Sequence, residues 1–275
     1  MDVRTPTRYV DDPADVAFAA RALADGAVVA VAFGNFYALV TRPDAATVRR
    51  VNLAKGRPAD QVGSITATAH RIPAMFDWSR IPPRLPEGRV RQLMDGLFGA
   101  GPFGFCGPAV DRLPDHLVRV DGGVRTTQVI APGTLCPSNS FFARACAEAG
   151  VEHLFITSAN RSHHLTGADE EPAHWRAEGI LADFAHVPDL VVLAHRDEAA
   201  ARAAYPVHLP TSVTLLSFHR PEGEWEEPPV LPVERHGSLH VDDVRRAAAP
   251  LGLQVRLSAR AARRLRVRAY DGALV

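Results

Sequence analysis

The chain has 275 residues, 47% apolar and 23% charged, with 31 basic residues against 31 acidic ones. That composition excludes a disordered chain, a collagen-like fibre and a disulfide scaffold, and zero formal charge gives no overall pull toward nucleic acid or an anionic membrane. The longest strongly apolar run, Ala27 to Phe33, falls far short of the roughly 20 residues of a membrane-crossing helix, so no membrane partner is expected.

The start, MDVRTPTRYVDDP, is polar and acidic and does not read as a signal peptide. Asp12 then caps a helix with Pro13 at its first position, Val16, Ala19, Ala20 and Leu23 on its apolar stripe and Gly26 past its end. Ala27 to Ala32 and Tyr37 to Val40 read as strands, and Pro43 opens a helix that Lys55-Gly56-Arg57-Pro58 must stop. Val62 to Thr68 reads as a strand and the proline-rich stretch around Ile81-Pro82-Pro83 as loop. Val90, Leu93, Met94, Leu97 and Phe98 repeat with helical period. Strands are expected at Leu117 to Val120, Gln128 to Ala131, Leu154 to Ile156, Leu190 to Ala194, Val213 to Phe218 and Val230 to Val233. Helices are expected around Phe141 to Ala149 and Val241 to Leu251. Alternating helices and short strands predict an α/β protein with a partly parallel or mixed sheet. Pro221 to Pro229 is the best linker, and the expected division is a main domain over 1–239 with a basic appendage over 240–275.

Three cysteines (Cys106, Cys136, Cys146) form no CxxC pair and, without an export signal, predict reduced thiols in a cytoplasmic protein. The chain contains 30 arginines and one lysine, Lys55. It lies two residues from Arg57 where a helix breaks, a geometry that aims an ammonium and a planar guanidinium at one polyanion; a plain surface turn is the bland alternative. Thr157-Ser158-Ala159-Asn160 follows a buried strand, and strand C-terminal ends are where open α/β sheets bind ligands. Gly99 to Gly104 matches GxGxxG literally, but a helix precedes it and Pro102 lies inside it, so it is no dinucleotide fingerprint. His163-His164, near Asp169, Glu170, Glu171 and His174, match no ligand spacing and read as a solvated loop, so no metal site is assigned. The six arginines of Arg256 to Arg268 read as a solvated face or an RNA-contacting patch.

Together, in this order and spacing, these pieces resemble the YrdC/YciO-like family, whose best-known members are threonylcarbamoyl-AMP synthases. The likeness runs from about Ala14 to Leu239. Lys55-x-Arg57-Pro58 looks like the family's KxRP signature and Thr157-Ser158-Ala159-Asn160 is its TSAN, a specific pair. Gly101-Pro102, Pro137-Ser138-Asn139, Pro210-Thr211-Ser212-Val213 and Arg235-His236-Gly237 resemble shorter family turns. The resemblance implies a twisted, mostly parallel or mixed sheet flanked by helices, with a large concave cationic cavity that binds ATP, with magnesium expected alongside. It implies AMP transfer to a carbamate with release of pyrophosphate, in tRNA modification or a small-molecule pathway. Carried over one by one, Lys55 and Arg57 would be catalytic and meet phosphate and carbonate. Gln61, Ser158 and Asn160 would contact nucleotide, and Thr211, Ser212 and Arg235 would hold phosphate or ribose.

Departures concentrate on the amino-acid side. The family's Pro-Thr-Glu is here Ala32-Phe33-Gly34, its histidine after KxRP aligns with Thr66, and its asparagine there with Gln61. The threonine of its GPxT turn becomes Gly104, and the arginine of its RxPxxP segment becomes Leu135. Phe33, Thr66, Gly104 and Leu135 therefore mark an altered substrate pocket, and the acceptor is expected not to be threonine. Two alternatives accompany this expectation: a non-catalytic site for double-stranded RNA or tRNA, and a nucleotide-binding scaffold.

Overall fold

The computed structural model describes residues 7–162, 171–221 and 228–270. The expected linker Pro221 to Pro229 and the His163-His164 loop fall largely outside them.

Asp12 caps helix α1 (Pro13–Ala24) by accepting from the amides of Ala14 at 2.8 Å and Asp15 at 3.2 Å, and the buried stripe is Val16, Ala19, Ala20 and Leu23. Asp12→Ala removes that cap, which costs about 1 kcal/mol. Calorimetry should show Tm lower by about 2–4 °C; an unchanged Tm would mean water satisfies those amides equally well.

Strands β2 (Val29–Phe33) and β3 (Phe36–Thr41) form a fully buried hairpin. Asp44, rather than Pro43, caps α2 (Ala45–Ala54), because its carboxylate reaches the Thr47 amide. The strand expected over Val62 to Thr68 is short, β4 (Ser64–Thr66), and the proline-rich stretch after it contains 3-10 turns at Ala69–Met75 and Trp78–Arg80. Helix α3 (Glu87–Ala100) runs directly through the glycine turn into β5 (Phe103–Pro108), the reverse of a dinucleotide fingerprint. There follow β6 (Arg119–Asp121), β7 (Val124–Ala131), α4 (Asn139–Ala149), β8 (Leu154–Ser158), α5 (Ala177–Asp183), β9 (Val191–Ala194), α6 (Glu198–Ala203), β10 (Leu215–Ser217), β11 (Val230–Arg235), α7 (Val241–Ala248) and β12 (Gln254–Leu257).

The twelve strands of the described residues join one sheet in the order β1(Arg8–Tyr9)-β9-β2-β3-β8-β4-β7-β5-β10-β11-β12, with β6 beside β7. Five pairings are parallel and six antiparallel, so the sheet is mixed. Helix α1 packs on α4 and β9, and α3 on α7 and β5. The segment from residue 240, expected as an appendage, supplies α7 and β12, and β12 pairs parallel with β11. Among the described residues no helix is long and apolar enough to cross a membrane.

Strand alternation decides what each face carries. On β5, Phe105 turns to Phe98 of α3, their rings 5.4 Å apart, while the next residue, Cys106, faces a hollow on the opposite side. On β7 it is Thr126, Gln128 and Ile130 that face this hollow. On β5 and β7 one face is thus packed under α3 and the other lines the cavity.

Candidate functional site

The cavity measures about 480 Å³, within the range of small-molecule sites. Its wall draws on β2, β3, β4, β5, β6, β7, β8, β10 and β11 and on the turns beside them. Four arginines line it (Arg57, Arg119, Arg235, Arg260) against two carboxylates, Asp121 and Glu234.

The KxRP turn is built by the end of α2. Lys55 is its C-cap, Gly56 follows at φ +75°, and a Cβ at Gly56 would come within 2.7 Å of the Ser162 carbonyl oxygen. Only glycine combines that left-handed backbone with that approach. The Ser162 amide donates to the Lys55 carbonyl at 2.7 Å, and the Asn52 side-chain amide holds the turn by donating to the Gln61 carbonyl at 2.8 Å. Antiparallel pairing of β3 with β8 sets Ser158 opposite Ala38 and so brings TSAN beside this turn.

The two signatures meet although they lie 103 residues apart. The Lys55 Nζ donates to the Ser158 carbonyl and, at 3.3 Å, to Asn160 Oδ1. Arg57 donates to Thr157 Oγ1 at 2.8 Å, and Ser158 Oγ donates to Asn160 Oδ1 at 2.5 Å. Arg57, Gln61, Thr157 and Ser158 lie on the cavity wall. Lys55 and Asn160, each 1% exposed, lie behind it. The lone ammonium therefore ties the wall together from beneath, while Arg57 presents its guanidinium at the surface of the hollow.

The remaining expected residues divide. Ser212 and Arg235 are on the wall, with Arg235 Nε donating to the Val213 carbonyl at 2.9 Å. Thr211 is turned to the C-terminal segment, its hydroxyl donating to the Arg266 carbonyl at 2.8 Å. Gln61 brings a buried Oε1 with no hydrogen-bond partner, an acceptor that a bound donor would satisfy.

Of the altered-pocket residues, Phe33 is on the wall, edge-on to Phe36 with ring centroids 5.5 Å apart. Thr66 is fully buried behind it with an unpartnered hydroxyl. Gly104 is enclosed, since a Cβ there would meet Leu215, Ile130 and Val213 at 3.0–3.3 Å. Leu135 is 88% exposed and lines a second hollow of about 550 Å³ with Tyr205 and His195. These four residues do not converge on one pocket.

Sequence reasoning missed Arg119, Asp121, His219, Glu234 and Arg260. The most ordered of these is a relay: His219 Nε2 donates to Asp121 Oδ2 at 2.7 Å, and the fully buried Ser217 hydroxyl meets His219 Nδ1 at 2.7 Å. The His219 hydrogen bond, with Arg220 beside it, holds the Asp121 carboxyl below the usual carboxylate range. Ser217 is too enclosed to act as a nucleophile, so the relay fixes the position of its imidazole and carboxylate. Burial pushes the Cys106 thiol up to about 12, which makes it inert as a thiolate. Among the described residues no group of His, Cys, Asp or Glu has the arrangement of a metal site.

A mixed sheet flanked by helices, with an arginine-lined hollow among its strands, defines an α/β protein with a concave ligand-type site. No family model matches the chain, and no curated protein matches it by sequence. Solved structures do match. Sua5 of P. abyssi, solved in complex with L-threonine, is 19% identical with a TM-score of 0.60, over 89% of this chain and 60% of its own. YciO of E. coli is 14% identical with a TM-score of 0.54, over 78% of this chain and 90% of its own. Full-length HypF in its phosphate- and nucleotide-bound form is 16% identical with a TM-score of 0.51, over 80% of this chain and 28% of its own. The fold is therefore the YrdC/YciO-like one, and the chain spans only about 60% of the length of Sua5.

Proposed function

We propose that the cavity binds ATP with its magnesium and transfers AMP to a carbamate or carboxylate acceptor. The observation that carries this is the convergence of Lys55-x-Arg57 with Thr157 to Asn160, which sets Arg57, Thr157 and Ser158 on a wall that also holds Arg119, Arg235 and Arg260. The L-threonine of Sua5 and the nucleotide of HypF support it by fold likeness alone.

In this reaction an acceptor oxygen forms a bond to the α-phosphorus as the bond to the β-phosphate bridging oxygen breaks. Pyrophosphate leaves with that electron pair. Charge grows on the phosphate oxygens, and preorganised guanidinium groups stabilise such charge more in the transition state than in the ground state. Arg57 would do this from the TSAN side and Arg235 from the opposite side, held by Thr157 and the Val213 carbonyl respectively. Magnesium would arrive with the nucleotide and neutralise its phosphates.

The wall also carries apolar side chains, Phe33, Phe36, Ala38, Ile130 and Ile156. An acceptor with an apolar side chain fits this surface better than threonine.

ATP at about 100 times its Kd stabilises a folded protein by about 2.7 kcal/mol. The expected result is a clear rise in Tm with ATP, together with exchange of labelled pyrophosphate into ATP once an apolar amino acid and bicarbonate are added. A shift without exchange under any acceptor would leave a nucleotide-binding scaffold; no shift at millimolar ATP would overturn the proposal. The RNA alternative draws on the basic C-terminal stripe. Only its exposed members, Arg256, Arg263 and Arg266, are placed to serve it, since Arg264 and Arg268 are tied inward and Arg260 lies on the cavity wall.

A further inference from the structure

After β12 the chain leaves the sheet as a strap without regular structure over most of its length, crossing from one side of the cavity to the other. A 3-10 turn at Ala259–Ala261 starts it. On the β11 side, the Leu265 amide donates to the His236 carbonyl at 2.8 Å, and Arg264 donates to the carbonyls of Gly237 and Ser238 at 3.0 and 2.5 Å. Midway it accepts the Thr211 hydroxyl on the Arg266 carbonyl. At the far side it docks on the segment that continues the β3–β8 ladder, where the His174 amide donates to the Ala159 carbonyl. There Trp175 Nε1 donates to the Arg268 carbonyl at 2.8 Å, Arg268 pairs with Glu171 at 2.6 Å, and the Tyr270 hydroxyl meets His174 Nδ1 at 2.6 Å.

Two strap side chains, Arg260 and Leu265, lie on the cavity wall. Arg260 is exposed and, among the described residues, meets no carboxylate. Arg119, across the hollow, donates to the Val62 carbonyl and likewise meets no carboxylate. Other arginines, among them Arg80, Arg125, Arg196, Arg220 and Arg268, do pair with an Asp or Glu. Four arginines thus face this hollow against Asp121 and Glu234, and Asp121 is already engaged by His219 and Arg220. An excess of like charge in one hollow is costly, and a bound polyanion offsets that excess.

We infer that the C-terminal strap is a wall of the ligand site and that Arg260 is a polyphosphate-binding residue. This deepens the function proposed above and rests on its polyanionic ligand. A guanidinium on a strap anchored at both ends reaches phosphate oxygens with little ordering still to be lost on binding.

The test uses the full chain, calorimetric titration with ATP and with inorganic tripolyphosphate, and the variants Arg260→Ala and Arg263→Ala. Arg263 is the neighbouring exposed strap arginine and lies off the wall. Arg260→Ala should weaken both ligands about tenfold, Arg263→Ala less than twofold, and neither should move Tm by more than a degree without ligand. Amide exchange at Leu265 should slow when either ligand is added. Wild-type affinity in Arg260→Ala overturns the inference and leaves ATP binding intact. Tripolyphosphate binding that depends on Arg260, without ATP binding, supports the inference and removes the nucleotide. Failure of wild type to bind either probe overturns both.

Discussion

Arg57→Ala should abolish most of the Tm rise that ATP produces, at a smaller cost to the unliganded fold than Lys55→Ala. The guanidinium lies on the cavity wall and is oriented by Thr157 at 2.8 Å. A hydrogen bond to a charged group contributes about 1.5–3 kcal/mol, so losing one phosphate contact weakens ATP by roughly 10- to 150-fold. Arg57→Lys should recover only part of this, because an ammonium keeps the charge but not the planar fork. Lys55→Ala should behave differently. Its ammonium is 1% exposed and bonded to the Ser158 carbonyl and Asn160, so its removal leaves buried acceptors unpaired and lowers stability as well as ATP affinity. Thermal shift with and without ATP separates the two: a mainly ligand-specific loss for Arg57, a combined loss for Lys55. An ATP response in Arg57→Ala equal to wild type would show that this arginine does not touch the ligand.

The elements that were legible in sequence are those whose signals are local. Asp12-Pro13 and the apolar stripe of α1, the period of α3, and the buried run of β2 each need only neighbouring residues. Strand β5 was hidden, because Phe103-Gly-Phe-Cys-Gly-Pro carries two glycines and a proline that ordinarily mark turns. Its glycines are explained only by packing: a Cβ at Gly107 would come within 2.1 Å of the Phe218 ring. The helices α5 and α6 are seven and six residues long, too short for a period to show. At the site, KxRP and TSAN could be read because each is contiguous. Arg119, Asp121, His219, Glu234 and Arg260 come from separate segments that meet only when β6, β10, β11 and the strap are assembled. Along β7, Thr126, Gln128 and Ile130 face the hollow, but the run Arg125-Thr126-Thr127-Gln128 is polar on both faces, so no alternation marked them. Conversely, Leu135 could be matched to a family position, yet its side chain opens on the other hollow, since the turn after β7 carries it outward.

The largest loss of stability is expected at Gly237, the glycine of Arg235-His236-Gly237. A Cβ there would lie 2.1 Å from the Ser212 carbonyl oxygen and 2.5 Å from that of Val213. Both obstacles are backbone, so no rotamer change relieves them. The same place is pinned by three hydrogen bonds: Gly237 amide to Thr214 Oγ1 at 3.0 Å, Ser238 amide to the Ser212 carbonyl at 2.9 Å, and Arg264 to the Gly237 carbonyl. Gly237→Ala must therefore push apart two segments that hold Ser212, Val213 and Arg235 on the cavity wall. A cost of about 3–4 kcal/mol is expected, which lowers Tm by about 6–16 °C in a chain of this size. Gly96→Ala is the matched control. Gly96 lies in α3, is exposed, and a Cβ there meets nothing within 4 Å. It should raise stability by roughly 0.5–1 kcal/mol through the lower chain entropy of the unfolded state. If the two alanines shifted Tm equally in calorimetry, the close approach at residue 237 would not be what requires glycine there. If Gly237→Ala instead melted like wild type but lost its ATP response, the segments would have parted without unfolding, and the role of that glycine would be to hold Ser212 and Arg235 at the ligand.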